Sequence, residues 1–180
     1  GSVVQISGCL LDGNTEAGLS VSGPETEVQV AGSFVRGTAA DANGRHGEGL
    51  VAQGGAFGTL SWCSVSGNTT AGLGVYGRSS DVATTTVEVS QSSIMETGTT
   101  VMEISGEQYR IGDGALVHGG GELHLDSTLV SGNGRTGIYC NDAAGWLTRS
   151  LVWNNASYGL AMDGCSENVE YSRGRDWSDE

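Results

Sequence analysis

Apolar residues recur along this chain in short runs of period two, never in a helical stripe. An apolar-x-apolar triplet returns at Val4–Ile6, Val28–Val30, Val87–Val89 and Leu123–Leu125, with weaker versions at Gly58–Leu60 and Gly145–Leu147. Three residues after each triplet comes a small residue: Cys9, Ser33, Cys63, Ser92, Thr128, Ser150. Two further on is an aliphatic one: Leu11, Val35, Val65, Ile94, Val130, Val152. A last run opens on Gly and an apolar residue, giving the column Leu19, Leu50, Leu73, Ala115, Ile138, Leu160. Its partner column, two residues later, is Val21, Ala52, Val75, Val117, Cys140, Met162. Alternation over so few residues predicts strands, with successive side chains on opposite faces.

The pattern is a repeat. From Cys9 to Ser33, Cys63, Ser92, Thr128 and Ser150 the steps are 24, 30, 29, 36 and 22 residues. A step near 23 with loops added fits one coil of a solenoid, three strands joined by tight turns. Stacked coils make three parallel sheets with strands about 4.8 Å apart. The apolar columns then join into one core that no single repeat could bury. Asn14, Asn68, Asn133 and Asn155 share one turn column, with Thr38 and Thr97 in its gaps. Stacked there, their side chains are expected to bond to one another and to turn backbone.

The clearest copies are SVSGNTTAGLGVYG (64–77) and TLVSGNGRTGIYCN (128–141). The pattern S-x-V-S-G-N-x(3)-G-[LI]-x-V resembles the right-handed β-helix repeats of secreted bacterial proteins. That family includes pectate-lyase-like enzymes, other polysaccharide lyases and epimerases. The resemblance covers residues 3–171 and speaks to fold more than function, because such repeats encode turns and core. It implies an all-β fold, a single-stranded right-handed parallel β-helix of six to seven coils with three short strands each, as one domain over 1–180. It also implies an extracellular or cell-surface location.

Composition narrows the partners. There are 8 cationic residues, all Arg, against 21 acidic ones, for a net charge of −13. No basic stripe exists for nucleic acid, and no run approaches the roughly 20 apolar residues of a membrane-spanning helix. The chain opens inside a coil and ends in an acidic tail after Val169, Glu170 and Tyr171, which open a seventh. Neither end reads as a polar cap. The expectation is a segment of a longer protein, with flanking coils or an oligomer partner over the solenoid ends.

Four cysteines raise a disulfide question. Cys9 and Cys63 share an inward column two coils apart, about 9–10 Å by the stacking distance. Buried free thiols are the expectation. Cys140–Cys165, on adjacent coils, is the pair left open. His46, His118 and His124 lack the spacing of a zinc site. No cofactor is expected, and calcium among the acidic loops stays open.

Departures from the repeat point to a site. The turn after the Asn/Thr column is short in four coils but grows in two, inserting 39–48 and 98–113. Both loops leave one corner beside the outer face of the Gly-Leu-x-Val sheet. Insertions on one side of a solenoid mark its binding face. Outward rows there are Ser20, Val51, Gly74, Leu116, Tyr139, Ala161 and Ser22, Gln53, Tyr76, His118, Asn141, Asp163. Loop one adds Asp41, Arg45, His46 and Glu48; loop two adds Glu103, Glu107, Tyr109, Arg110 and Asp113. Aromatics, amides, carboxylates and Arg suit a sugar polymer. The binding residues expected are Tyr76, Tyr139, Gln53, Asn141, Asp163 and Arg110. The leading expectation is a non-catalytic scaffold or binding domain of an exported bacterial protein, contacting polysaccharide or a cell-surface protein.

The enzyme alternative is a lyase, epimerase or hydrolase between the loops, with Arg45, His118 and Asp113 as catalytic candidates. A lyase needs a cation for the uronate carboxylate, from Arg45 or Arg110, and a base, from His118, Tyr76 or Tyr139. A hydrolase needs two carboxylates, from Asp113, Asp163 and Glu48. No named family's catalytic motif is matched. There is no Asp-Pro-His of the alginate epimerases and no Lys.

Overall fold

The computed structural model describes residues 1–78, 83–104, 107–170, 173–174 and 177–179; of 102–104, 107, 167–169, 173–174 and 177–179 it describes the backbone alone. Three sheets of seven strands run the length of the chain, each strand parallel to its neighbours. The first sheet takes Ser2–Ser7, Thr26–Ala31, Phe57–Ser61, Thr86–Ser90, Glu122–Asp126, Ala144–Thr148 and Ser166–Glu170. The second takes Leu10–Asp12, Phe34–Arg36, Ser64–Ser66, Ser93–Met95, Leu129–Ser131, Leu151–Trp153 and Arg173–Gly174. The third takes Ala17–Ser22, Glu48–Gln53, Ala71–Tyr76, Asp113–His118, Thr136–Asn141, Tyr158–Asp163 and Trp177–Asp179. One strand of each per turn makes seven coils. Tyr171 lies outside the described residues.

The register follows the repeat. Val28 pairs with Gly58, Gly58 with Val87 and Val87 with Leu123. Leu50 pairs with Leu73, Leu73 with Ala115 and Ala115 with Ile138. These inward columns, with Val35, Val65, Ile94, Val130 and Val152, form one continuous buried core. Each buried aliphatic side chain contributes about 1.5–3 kcal/mol over leaving it in water.

Polar ladders close the corners. In the small-residue column, Ser33 Oγ accepts from Cys9 N (3.1 Å), Ser92 Oγ from Cys63 N (2.9 Å) and Ser150 Oγ from Thr128 N (3.1 Å). In the Asn/Thr column, Asn68 Oδ1 accepts from Thr38 N, Asn133 Oδ1 from Thr97 N and Asn155 Oδ1 from Asn133 N, each at 3.1 Å. Backbone is the main partner; within this column an amide-to-amide bond runs from Asn133 Nδ2 to Asn155 Oδ1 (2.8 Å). Residues other than glycine also take left-handed turn positions. Between the first and second sheets, Trp62, Gln91, Ser127 and Arg149 take φ of 57°, 49°, 51° and 51°. Each gives its N–H to a carbonyl one coil on, which helps hold this left-handed conformation.

The glycine at the second position of five third-sheet strands, Gly18, Gly49, Gly72, Gly114 and Gly137, is needed for space. A Cβ on Gly72 would lie 2.4 Å from Ile94 Cγ2 and 2.6 Å from Gly114 O; one on Gly137 would lie 2.5 Å from Gly159 O. Between the second sheet's side chains and the carbonyl of the next third-sheet strand, no side chain fits.

Two expectations about cysteine change. Cys140 and Cys165 are joined as a disulfide, with Cα atoms 6.2 Å apart, so Cys140 is buried but not free. Cys9, in the first coil, is exposed, while Cys63 is a buried thiol.

Candidate functional site

Both inserted loops return to the third sheet on a buried carboxylate. In the row that begins this sheet, Ala17 pairs with Glu48, Glu48 with Ala71 and Ala71 with Asp113. Loop one is a tight turn organised by Asp41. Its Oδ1 accepts from Asn43 N (2.9 Å) and Arg45 N (2.8 Å). These N–H donors, led by that of Arg45, hold the Asp41 carboxyl below the usual range. Loop two is an antiparallel hairpin of Thr100–Ile104 and Glu107–Ile111. The loops approach each other over coil three: a Cβ on Gly44 would sit 3.1 Å from Val101 O. Glu103 and Glu107 have side chains outside the described residues.

Beside loop one lies an open trough of about 700 Å³, lined by Glu16, Ser20, Arg45, His46, Glu48, Gln53 and Tyr76 among others. It continues into a region of about 500 Å³ bordered by Ser22, Gly54, Arg78, His118 and Gly119, the two parts sharing Gln53 and Tyr76. Pairing explains the shared floor, since Tyr76 lies between Gln53 and His118 in the sheet.

Glu48 and Tyr76 are the most perturbed groups of this trough. Glu48 is 6% exposed. Its Oε1 accepts from the Tyr76 hydroxyl (3.1 Å), and its Oε2 is buried with no donor in bonding geometry. Burial pushes the Glu48 carboxyl above the ordinary range, against the pull of its own backbone N–H, the Tyr76 hydroxyl and His46. Burial also pushes the Tyr76 phenol well up, and the Glu48 charge adds to it. The Tyr76 ring folds back along its own strand. A Cβ on Gly74 would meet ring atom Cε2 at 2.7 Å, the hydroxyl at 2.9 Å and Cζ at 3.0 Å, so the ring uses space that glycine leaves open.

Asp113 is built differently. It is 0% exposed, and Arg135 grips it with both Nε (2.8 Å) and Nη2, while Thr136 N donates at 3.2 Å. Burial raises its carboxyl, and Arg135 and Thr136 oppose this. The Arg135 guanidinium also lies 4.6 Å from the Tyr139 ring centroid. Asp113 is thus enclosed, and Tyr139 stacks on Arg135.

The other expected residues scatter. Arg45, Gln53, Tyr76 and His118 border the trough. Asn141 Nδ2 donates to Asp163 Oδ2 (3.0 Å), and His118 Nδ1 lies 3.2 Å from Asn141 O. Arg110 stands exposed on the hairpin, opposite Val101. Among the described residues, no group of three or more His, Cys, Asp or Glu is placed to hold a metal ion.

Sequence reasoning missed two contributors. Glu16 joins the trough from the corner of coil one. Arg78 borders it from a third insertion, 77–85, between the Ala71–Tyr76 and Thr86–Ser90 strands. The signal was the 29-residue step from Cys63 to Ser92, which the two recognised loops leave unexplained.

No family model matches the sequence, and no curated protein does. Among solved structures, the chain is similar to the crystal structure of pectate lyase Pel9A, with a TM-score of 0.53 and 13% sequence identity over 95% of this chain and 52% of that one. The chain folds as a pectate-lyase-like right-handed parallel β-helix. At this identity the likeness is one of fold alone, and the β-helix spans about half the length of that enzyme.

Proposed function

We propose that this β-helix binds polysaccharide along the outer face of its third sheet, as a non-catalytic module of an exported bacterial protein. The convergence of Arg45, Gln53, Tyr76 and His118 on one open trough carries this reading. A ring beside amide, guanidinium and imidazole groups suits a pyranose, whose faces are apolar and whose rim bears hydroxyls. Insertions that all border the third sheet, over a rigid scaffold, fit a binding face. The Cys140–Cys165 disulfide supports an oxidising compartment. The net charge of −13 counts against nucleic acid.

Affinity electrophoresis against a panel of neutral and acidic polysaccharides tests it, alongside assays for new reducing ends and unsaturated products. Retardation by at least one polymer without product, weakened by Arg45→Ala and Gln53→Ala, is expected. Retardation by none would end the glycan reading. One observation favours the enzyme alternative: a buried carboxyl with a raised pKa, Glu48, lies in the same trough as Arg45. Product release abolished by Glu48→Gln would establish that alternative instead.

A further inference from the structure

We propose that Tyr76, laid over Gly74 and pinned by the buried Glu48 carboxyl, is a preformed platform for the apolar face of an uncharged pyranose, with Glu48 as its positioning residue. The inference rests on the glycan reading above and names the sugar class and the device that selects it.

Three independent features of coil two and coil three build the platform. First, the ring's resting place is made by absence: at Gly74 any Cβ would lie 2.7 Å from Tyr76 Cε2. The outward positions paired with Gly74 are Val51 and Leu116, so glycine leaves a notch between two apolar side chains. Second, the hydroxyl end of the ring is tied down at Glu48 (3.1 Å), the residue on which loop one re-enters the sheet. A tyrosine fixed at both ends loses little rotamer freedom when a ligand stacks on it, so more of the stacking energy appears as affinity. Third, Tyr76 lines both parts of the trough, so its ring lies midway along any bound chain.

The charge around the ring selects the sugar. Glu48 is the charged group bonded to its hydroxyl end, while Glu16, Arg45 and His46 line the same part of the trough. A carboxylate on the stacked residue would face Glu48. The C–H groups of a neutral pyranose face instead gain from the negative face of the ring. Arg45 and Gln53 on the same trough are placed to meet the hydroxyls at its rim.

The test uses soluble mixed-linkage β-glucan as the neutral probe and polygalacturonate as the acidic one. Affinity electrophoresis gives the binding, and thermal melting checks the fold. Wild type is expected to be retarded by the β-glucan. Tyr76→Ala and Gly74→Ala should each weaken that binding about tenfold, the size of one aromatic stack. Glu48→Gln, which keeps an acceptor for the phenol, should stay within about twofold, the rest of the trough being intact. Glu48→Ala should fall between them. Rescue by Gln but not Ala marks positioning, as does a ligand-induced tyrosine fluorescence change that is lost in Gly74→Ala. If Gly74→Ala fails to fold, Tyr76→Phe, expected to lose affinity while keeping the ring, takes its place. β-Glucan binding that is unchanged in Gly74→Ala, or in Tyr76→Phe as its substitute, overturns the platform. Retardation by polygalacturonate alone overturns the sugar class and leaves the glycan reading standing. Retardation by neither polymer overturns this inference; the glycan reading falls only if the wider panel is also silent.

Discussion

Glu48 and Asp113 occupy the same row of the third sheet, each where an inserted loop comes home, yet they have opposite fates. Asp113 has two bonds from Arg135 and one from Thr136 N, and no exposed surface. Glu48 has the Tyr76 hydroxyl and an oxygen without a donor, beside an open trough. Coils without an insertion at this corner put Ala17, Ala71, Thr136 and Tyr158 in this row. A buried carboxylate with its capacity filled closes a corner of the fold. One with unmet capacity next to a cleft is an unusual cost, and such costs gather where a protein does something.

The sharpest way to break this comparison is to supply a buried acid with no partner at all. Val65 is at 0% exposure in the core of coil three. Val65→Asp should leave the chain unfolded, because an unpaired carboxylate cannot be taken into that column; a cooperative melt near the wild-type temperature would contradict the inward assignment. Next comes Asp113→Ala. It strands a partly buried Arg135 and the Thr136 N–H, and denaturant titration should show a loss of about 3–5 kcal/mol. A loss below about 1 kcal/mol, the range of surface pairs, would mean the pair is not structural.

Glu48→Gln should act in the other direction, and only at some pH values. The native carboxyl holds its proton more tightly than the unfolded one. Its contribution to stability is therefore full below the ordinary glutamate range and is lost as pH rises through the raised native value. Gln does not titrate, so the variant should melt higher than wild type at pH 8 and lose that advantage toward pH 4. An equal gap at both values would remove the raised pKa from the argument. The smallest effect belongs to Asp12→Ala, which breaks an exposed pair with Arg36 (3.0 Å) and should leave the melting temperature unchanged.

Most of the fold was legible because it is periodic. The inward columns, the outward rows and the Asn/Thr column all stand in register as the repeat implies. What was not legible is what periodicity does not encode. Nothing in the alternation says that Arg135, one residue ahead of a strand, reaches back one coil to close over Asp113. Nothing says that Tyr76 turns along its own strand, because that depends on a missing atom at Gly74. Of the expected site residues, Arg45, Gln53, Tyr76 and His118 share a trough, since they follow from sheet register and one short turn. Arg110 sits on a hairpin whose course the repeat does not set.

The glycine at the second position of these third-sheet strands has a bearing on how such a molecule can be altered. Gly49, Gly72, Gly114 and Gly137 leave no room for even a methyl group, yet the loop just before each ranges from a three-residue turn to a sixteen-residue excursion (98–113). The landing point is strict and the approach is free. This corner therefore works as a grafting port. A foreign loop that ends on the glycine and keeps the residue before it should be carried without disturbing the coils above or below, since each coil bonds only to its neighbours.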